Sequence, residues 1–438
     1  MSSGAQAEPL RVMIVTDQYE PMIGGVPTVT RDLAAGLAAR GHAVSVIAPS
    51  ETRRSRHQAA SGHVGPVVDY QGALAWPWYQ GQRLGMLAPS RAARLIAAFR
   101  PDVVHVHSPL TLGTAMRRAA RRRVPVVYTN HYLPLNAWPA SALAAPGRAA
   151  GGSPDAGPVA ARIRDAAFYA LVTGFANGCD LVTAPTATAL GLLRSHGLRV
   201  PSLAVSNGVD LDRFSPGPAD AALRSRYRLP AGAPVILSVG RLSPEKRADV
   251  LIAALARLGE PERATDGGPV LVLAGAGPDD GRLRSLARHF GVAGRTVFTG
   301  FVPEADLPGL YRAADVFAIA SQAELQSLVT MAAMASGLPV VAADAGALPE
   351  LVHAGENGFL ARPGNAGEIA AGLGLLCRDA GLRARMAGAS ARIIAGHDRH
   401  RLLTRWEAIY RAVGGPRDER GARTSSTGLE AKVIDGQP

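Results

Sequence analysis

Short apolar runs alternate with longer segments of mixed polarity along almost the whole chain. The runs are rich in Val, Ile and Ala and span a few residues each, which is typical of buried β-strands. They cover residues 12–16, 43–48, 103–106, 124–128, 235–239, 270–274, 316–319 and 340–342. The segments between them are rich in Ala and Leu and long enough for helices. This alternation predicts an α/β protein with doubly wound parallel sheets, covered by helices on both faces.

The alternation breaks between residues 209 and 234, where the sequences Ser215-Pro-Gly-Pro and Leu229-Pro-Ala-Gly-Ala-Pro disrupt regular structure. The same pattern resumes afterwards, so we place a domain change there. A chain of 438 residues with 47% hydrophobic content can bury two cores. We therefore predict one α/β domain over residues 1–206 and a second over residues 207–398.

Three other segments have distinct composition. Residues 402–413 carry apolar side chains at helical spacing, which predicts an amphipathic helix. Residues 140–160 are rich in Ala, Gly, Ser and Pro, so we expect a flexible loop. Residues 415–438 are polar and have no helical apolar stripe, which predicts a disordered tail.

The chain is basic, with a net charge of +12 from 47 basic and 35 acidic residues. Nearly all the basic residues are arginines, and lysine occurs only at Lys246 and Lys432. A positive field favours nucleotide sugars, anionic lipid head groups or nucleic acid, although a general preference for arginine would explain it equally well. Aromatic residues make up only 5% of the chain and are not interleaved with the arginines, which argues against nucleic-acid binding.

Cysteine usage and the chain's apolar segments suggest the compartment. Cys179 and Cys377 lie far apart without metal-like spacing, so neither a disulfide framework nor a zinc site is indicated. The first residues lack a secretory leader pattern, and no apolar stretch approaches the roughly 18 residues of a membrane-spanning helix. We expect a cytoplasmic protein, with a peripheral position on the inner face of the plasma membrane left open.

The most informative segment covers residues 315–342. A short apolar strand is followed by a polar loop with one carboxylate, Glu324, and then by a helix. Gly337 supplies a left-handed cap to that helix, and Pro339 prevents its continuation. This order points a helix N-terminus at the carboxyl edge of a sheet, which is a phosphate-binding arrangement.

A second pattern follows another apolar run, in the sequence Gly240-Arg-Leu-Ser-Pro-Glu-Lys-Arg. Ser243 is suited to cap a helix with Pro244 at its first position, which would place Lys246 in the first turn. Cations at Lys246 and Arg247 oppose the positive end of a helix dipole unless an anion lies between them. We therefore predict a phosphate here, with a solvated lysine at a helix end as the alternative.

Both patterns resemble segments of the family 4 glycosyltransferases, which are retaining enzymes with the GT-B fold. The first resembles the Glu-x7-Glu segment of that family, and the second resembles its Gly-Arg-Leu-x-x-Glu-Lys block. Blocks of this kind follow in the family's order from about residue 11 to residue 413. The resemblance implies two Rossmann-like domains that face each other across a cleft, with residues 399–414 crossing back to the first domain.

The resemblance also implies catalytic residues. Glu324 would touch the donor sugar, and Arg241 and Lys246 would grip the leaving diphosphate as the glycosidic bond breaks. His131 matches the histidine of the family's Thr-x-His segment, which contacts the transferred sugar. A structural role is the alternative for His131.

Further positions would bind the donor. By the same resemblance they are Gly24, Gly25, Gly240, Val302, Gln326, Ser327, Leu328 and Ala332. Paired glycines let a backbone approach a diphosphate closely, although a plain tight turn is an alternative. The amides after Glu324 would hold the pyrophosphate, and the backbone of Val302 would meet the nucleobase unless that residue merely ends a strand. The family's second glutamate, which takes the ribose hydroxyls, is replaced by Ala332.

The activity implied is transfer of a hexose from a nucleotide diphosphate sugar to a hydroxyl acceptor, with retention and without cofactor or metal. The only Asp-x-Asp triplet, Asp210-Leu-Asp212, lies in a turn block that is not a metal site in the family. The chain looks most like members that glycosylate diacylglycerol or phosphatidylinositol lipids. A soluble acceptor is one alternative. A catalytically weak nucleotide-sugar-binding protein is another, because of Ala332.

Five arginines offer a possible contact with anionic lipid. They fall largely on one side of a predicted helix and comprise Arg117, Arg118, Arg121, Arg122 and Arg123. A basic helical face of this kind attracts anionic head groups. A solvated basic face is the alternative. A lipid-binding face and a solvated face have the same sequence pattern, so membrane binding is an expectation that the arginines alone do not decide.

Overall fold

The computed structural model describes residues 8–51, 56–58, 65–75, 83–121, 123–134, 158–230, 232–259 and 268–414. The tail predicted over residues 415–438 lies outside these ranges. So does the loop predicted over residues 140–160, except for its last three residues, which begin a helix. The chain divides into two compact units: unit 1 contains residues 1–206 and 402–438, and unit 2 contains residues 207–401.

Unit 1 is built on one large, mostly parallel sheet. Its strands are β1 (Arg11–Val15), β2 (Ala43–Pro49), β3 (Arg56–Gln58), β4 (Val67–Gln71), β5 (Ala73–Ala75), β6 (Arg83–Gly85), β7 (Val103–Val106), β8 (Val126–Thr129), β9 (Leu181–Ala184) and β10 (Ser202–Ala204). The large sheet has the order β10-β9-β8-β7-β1-β2-β4-β3, and β5 pairs separately with β6. Within the large sheet only the β3–β4 pair is antiparallel. The helices are α1 (Gly25–Ala39), α2 (Pro89–Phe99), α3 (Thr111–Ala120), α4 (Pro158–Ala176) and α5 (Ala187–Ser195).

Unit 2 repeats this architecture with an entirely parallel sheet. Its strands are β11 (Val235–Val239), β12 (Val270–Ala274), β13 (Thr296–Gly300), β14 (Val316–Ile319), β15 (Val340–Ala343) and β16 (Gly358–Ala361), in the order β13-β12-β11-β14-β15-β16. The helices are α6 (Ala221–Arg226), α7 (Ala248–Arg257), α8 (Asp280–His289), α9 (Leu307–Arg312), α10 (Leu328–Ala335), α11 (Ala366–Arg378) and α12 (Ala380–Ile394).

Each sheet separates two hydrophobic cores, because its strands are buried on both faces. In β11, for example, Val235 and Leu237 pack into one core while Ile236 packs into the other. Every apolar run identified in the sequence coincides with one of these strands. The predicted doubly wound α/β class is therefore confirmed for both units.

The last helix, α13 (Arg399–Gly414), contains the predicted amphipathic segment. Its apolar stripe packs into the core of unit 1 through Leu403, Trp406, Ile409 and Tyr410. Gly36 of α1 permits this close approach, since a Cβ there would lie 2.6 Å from Leu403 Cδ1. Within the described ranges, no helix is both long enough and apolar enough to cross a membrane.

Candidate active site

The strand order in the sheet of unit 2 reverses between the adjacent strands β11 and β14. Strands β12 and β13 lie on one side of β11, whereas β14, β15 and β16 lie on the other. Loops that leave the carboxyl ends of parallel strands at such a point diverge and open a crevice for ligands. The loop after β11 carries Gly240, Arg241 and Lys246, and the loop after β14 carries Glu324. The two sequence motifs therefore lie side by side at one edge of unit 2.

Lys246 and Glu324 are in direct contact across these loops. The Lys246 ammonium donates a hydrogen bond from Nζ to Glu324 Oε1 at 2.7 Å. The Glu324 side chain is only 10% exposed, whereas that of Lys246 is 33% exposed. Arg241 is the most accessible of the three and lies 3.3 Å from Glu245. The loops thus present two cations, each beside a carboxylate, and Glu324 is the more buried of the two carboxylates.

The helical turn predicted at Ser243 differs in the structure. Residues Pro244–Lys246 form a 3₁₀ turn, and α7 begins only at Ala248. The Ser243 hydroxyl caps neither element, because it donates to the Glu245 carboxylate at 2.6 Å. Arg247 has a φ of 51°, a left-handed conformation that interrupts a right-handed helix. Lys246 therefore does lie in a helical turn that begins at Pro244, but this turn is 3₁₀ and separate from α7, and the predicted Ser243 side-chain cap is wrong.

The two cations predicted to require an external anion already have carboxylate partners. Arg247 lies 3.1 Å from Asp249, and Lys246 contacts Glu324. Electrostatic conflict between Lys246 and Arg247 therefore does not demand a phosphate, and that step of the prediction is wrong. The case for an anion at this edge depends instead on the helix that follows Glu324.

Helix α10 directs its N-terminus at the same edge. Ser327, which is 2% exposed, caps the helix by accepting a hydrogen bond from Thr330 N at 3.3 Å. The amides of Leu328 and Val329, at the first two helical positions, have no partner among the residues that the structure describes. Free amides at a helix N-terminus attract anions. Gln326 accepts from Asn207 N at 2.7 Å through its side-chain oxygen, so its side chain is already engaged.

The loop after β15 supports Glu324 from behind. Ala347 N donates to the Glu324 carbonyl at 2.9 Å. A Cβ on Gly346 would lie 2.5 Å from that carbonyl, and Gly346 has a φ of 56°. Both space and conformation therefore favour glycine at this position. Loops from three neighbouring strands, β11, β14 and β15, thus meet at Glu324.

Glycines also fix the loop that carries Arg241. A Cβ on Gly275 would lie 1.9 Å from the Gly240 carbonyl, and a Cβ on Gly277 would lie 2.1 Å from the Leu242 carbonyl. Leu242 N donates to the Ala276 carbonyl at 3.1 Å across the same contact. The glycine-rich loop after β12 therefore packs backbone to backbone against the Gly240 loop.

Two of the predicted donor-binding residues lie in the core of unit 2. Ala332, in α10, is 5% exposed, and Val302, just after β13, is 7% exposed. Burial of the Val302 side chain leaves its backbone as the part able to meet a ligand. A larger side chain at Ala332 would have to extend out of the core.

The Asp210–Asp212 triplet faces cations of the protein itself. Asp210 accepts from Arg213 N at 3.0 Å and lies 2.9 Å from the Arg399 guanidinium. Asp212 is highly exposed and lies 3.5 Å from His400. These contacts tie the turn after residue 207 to the start of α13.

In unit 1 the strand order reverses between the adjacent strands β1 and β7. Asp17 lies just beyond the end of β1. Asp17 is fully buried and accepts hydrogen bonds from Ser108 Oγ at 2.8 Å, Thr111 Oγ1 at 3.3 Å and Gly85 N at 3.4 Å. It thereby joins the loops after β1 and β7. Burial raises the pKa of Asp17 from 3.8 to about 6, although these hydrogen bonds oppose the rise.

We expect Asp17→Asn to stabilise unit 1 at neutral pH. Burial raises the folded-state pKa of Asp17 from 3.8 to about 6, so the stabilisation contributed by its protonated carboxyl is present in full only below pH 3.8 and is lost as pH rises from there through 6. Asparagine cannot ionise, so the gain in unfolding free energy should be about 3 kcal/mol above pH 6 and close to zero near pH 3. Urea titrations of both proteins at the two pH values measure it. A gain of equal size at both would show that ionisation is not its cause.

His131 contacts a second histidine, His107. It lies beyond the end of β8, where its Nε2 is 2.9 Å from Nδ1 of His107. His107 was not predicted as a site residue; it follows β7 directly and is 1% exposed. Burial lowers the pKa of His131 to about 4 and lowers that of His107 well below its ordinary value. Both rings are therefore neutral at physiological pH.

The Gly24–Gly25 pair begins α1 at the same edge of unit 1. Both residues are exposed, and a Cβ on Gly24 would meet Pro27 only at an ordinary contact distance of 3.6 Å. The fold itself therefore does not require glycine at position 24. A role in admitting a ligand to the backbone stays a prediction.

The arginines near residue 120 do not form one helical face, so that prediction is wrong. Helix α3 ends at Ala120 because Arg121 adopts an extended conformation. The Arg117 guanidinium stacks over the Phe175 ring, with 5.0 Å between the guanidinium carbon and the ring centroid. Arg118, Arg121 and Arg123 are exposed, and Arg122 lies outside the described residues.

Sequence reasoning missed Asp17 and His107, although both had a detectable signal. Each is a polar residue just after β1 or β7, the two strands between which the strand order reverses. His105 lies within β7, whereas His107 lies one position beyond its end. A one-residue difference in the strand end separates a core position from a site position.

Comparison with known proteins relates the chain to glycosyltransferases. Residues 23–213 match the model described as "Glycosyltransferase Family 4", and residues 220–392 match "Glycosyl transferases group 1". A GDP-mannose-dependent alpha-mannosyltransferase of Mycobacterium tuberculosis is 32% identical over 353 residues, which is 80% of this chain and 83% of that protein. An alpha-monoglucosyldiacylglycerol synthase of Streptococcus pneumoniae is 26% identical, covering 76% of this chain and 71% of that protein.

Among solved structures, the HepE protein of Anabaena in complex with UDP and glucose has the same fold. The TM-score is 0.68 at 22% identity, over 91% of this chain and 98% of that one.

Proposed function

Because this chain belongs to the family 4 and group 1 glycosyltransferases, we propose that it moves a hexose from a nucleotide diphosphate sugar to a hydroxyl acceptor with retention. One observation carries the donor assignment. The point where the strand order of unit 2 reverses brings together Lys246, Glu324 and the free amides of α10. The UDP bound by the Anabaena protein of the same fold supports a nucleotide donor.

The leaving diphosphate is the group that this edge suits best. Its negative charge grows as the bond between C1 of the sugar and the phosphate oxygen breaks. Arg241 and Lys246 then neutralise that charge, while the amides of Leu328 and Val329 donate to phosphate oxygens. Such groups act without reorganisation because the surrounding loops already hold them.

Glu324 is suited to hold the sugar rather than to accept the acceptor's proton. Its carboxylate already accepts from Lys246, and its backbone is fixed by Ala347. In this position it orients the ammonium and accepts hydrogen bonds from sugar hydroxyls. We propose that a phosphate oxygen of the donor takes the acceptor proton, so the new bond forms at C1 on the face that the diphosphate leaves.

The anomeric configuration of the product tests this mechanism. With EDTA-treated protein and an α-linked donor, we expect NMR to show an α-linked product and a rate unchanged by added magnesium or manganese. The physical reason is that two protein cations, Arg241 and Lys246, already provide the charge that a metal would supply. A β-linked product, or activity restored only by the metal, would contradict the proposal.

For the acceptor we propose a membrane lipid. Helix α4 exposes two large apolar residues, Ile163 at 66% and Leu171 at 54%, which share one helical face. Arg117 of α3 stacks on Phe175 of α4, one helical turn after Leu171, so the arginine-bearing end of α3 approaches that end of α4. The diacylglycerol-related name of the Streptococcus pneumoniae relative supports the same acceptor class.

Membrane binding should respond to both features. Co-sedimentation with vesicles should rise with anionic lipid and fall with salt, because exposed charges are screened over about 10 Å at 0.1 M ionic strength. Replacing Ile163 and Leu171 together with glutamine should weaken binding. Leu375→Gln is the control, since Leu375 is 46% exposed but lies in unit 2. Vesicle binding that changes with neither the salt concentration nor the double substitution would favour a soluble acceptor.

A further inference from the structure

The contact between His107 and His131 has a defined geometry. The two ring planes differ by only 9°, and the ring centroids lie 5.2 Å apart while Nδ1 of His107 and Nε2 of His131 are 2.9 Å apart. The difference between these two separations is about twice the distance from an imidazole centroid to its ring nitrogen. The rings therefore lie edge to edge in nearly one plane, as an in-plane hydrogen bond between imidazoles requires.

One hydrogen bond between two neutral imidazoles allows two arrangements. If Nδ1 of His107 donates, then Nε2 of His131 accepts, and His131 carries its own proton on Nδ1. If Nε2 of His131 donates, then His107 accepts at Nδ1 and carries its proton on Nε2. The two arrangements leave opposite tautomers at His131, one presenting a donor and the other an acceptor.

The other nitrogen of His107 discriminates between them. His107 Nε2 is buried and has no hydrogen-bond partner within the part of the chain that the structure describes. In the second arrangement this atom would be a buried N–H group without an acceptor. Buried N–H groups without an acceptor are rare in folded proteins. The first arrangement avoids an orphaned donor.

We infer that His107 is a positioning residue that donates from Nδ1 to His131, so that His131 presents an Nδ1–H donor. Its functional consequence rests on the proposed function and on the family resemblance, which implies that His131 contacts the transferred sugar. In this tautomer His131 donates to a sugar oxygen through Nδ1 and accepts only from His107. The low pKa of His131, about 4, is consistent with a ring that stays neutral throughout.

Tautomers are measured by long-range ¹H–¹⁵N NMR on the full-length, ¹⁵N-labelled protein, which has 11 histidines. The His131 signal is assigned by its loss in His131→Gln. We expect Nδ1 of His131 to be protonated and Nε2 unprotonated in wild type. In His107→Phe the fixed tautomer should give way to a mixture. Protonated Nε2 on His131 in wild type, or no change in His107→Phe, would overturn the inference.

Two further variants separate positioning from simple packing. In His107→Asn the side-chain amide can replace Nδ1 as donor, so the His131 tautomer should return. Thr129→Val is the shape-matched control: the Thr129 hydroxyl is buried and bonds His105 and Thr183 rather than His107 or His131. It should reduce thermal stability without changing the His131 tautomer. A changed tautomer in Thr129→Val would contradict a specific role for His107.

Transfer kinetics complete the test. His107→Phe should lower kcat/KM by about tenfold, the effect of one lost hydrogen bond, and His107→Asn should recover most of it. Unchanged kcat/KM in His107→Phe would overturn positioning while leaving the proposed function intact. Fixed tautomers in a protein without any transferase activity would instead contradict the proposed function and leave the hydrogen-bond assignment standing.

Discussion

Replacing Lys246 with alanine is expected to weaken nucleoside diphosphate binding by about ten- to a hundredfold, the effect of losing one hydrogen bond from a charged donor. The substitution also leaves Glu324, whose side chain is 10% exposed, without the ammonium 2.7 Å away. An uncompensated carboxylate beside the diphosphate repels it, which adds to the loss. Calorimetric titration with UDP, GDP and ADP measures the affinities.

Arg247→Ala is the matched control for that measurement. Arg247 is the next residue and carries the same charge, but its partner is Asp249 rather than Glu324. If net charge alone attracts the nucleotide, both variants should lose equal affinity. Arg241→Ala should behave like Lys246→Ala. Wild-type affinity in both Lys246→Ala and Arg241→Ala would contradict the assignment of this edge to the diphosphate.

The second large effect is expected at Ala332, where a methyl group replaces the carboxylate that the family uses for the ribose hydroxyls. Ala332→Glu should tighten donor binding by about ten- to a hundredfold, because a carboxylate accepts hydrogen bonds that a methyl group cannot. Ala332 is 5% exposed, so the new carboxylate must extend from the core toward the ligand. Helix propensity does not oppose the change appreciably.

The ligand supplies the control for Ala332→Glu. A nucleotide that lacks both ribose hydroxyls should gain nothing from the substitution, whereas the ordinary ribonucleotide should gain affinity. Ala332→Leu adds volume without an acceptor and should not tighten either. Thermal unfolding reports whether each variant remains folded. If Ala332→Glu is folded and binds the ribonucleotide no better, the pocket is built around alanine and serves a different donor.

The sequence predicts the doubly wound fold well because burial on both faces makes each parallel strand a continuous apolar run. It predicts the loop after β11 poorly. Ser243 and Pro244 favour a helix start, yet the left-handed conformation of Arg247 delays the helix to Ala248. Local propensity favoured one helix that starts at Pro244, and the chain instead forms a 3₁₀ turn there and begins α7 four residues later.

Pairing between distant residues is the other feature that the sequence did not reveal. Lys246 and Glu324 are separated by 78 positions, and His107 and His131 by 24. Each pair meets because two adjacent parallel strands end at the same sheet edge. Strand order determines such contacts, and apolar periodicity alone does not give strand order. The arginines near residue 120 show the converse: their sequence spacing predicts one helical face, but they lie on both sides of the end of α3.

Turnover tests the account most directly. Wild-type protein is incubated with UDP-glucose, UDP-galactose or GDP-mannose and with vesicles that contain diacylglycerol or phosphatidylinositol. Released nucleoside diphosphate and new glycolipid are then quantified. We predict that one donor yields both products in equal amounts, and that Lys246→Ala and Glu324→Gln lose this activity while Arg247→Ala retains it. A protein that binds the nucleotide yet forms neither product with any donor, lipid or soluble acceptor would contradict the account.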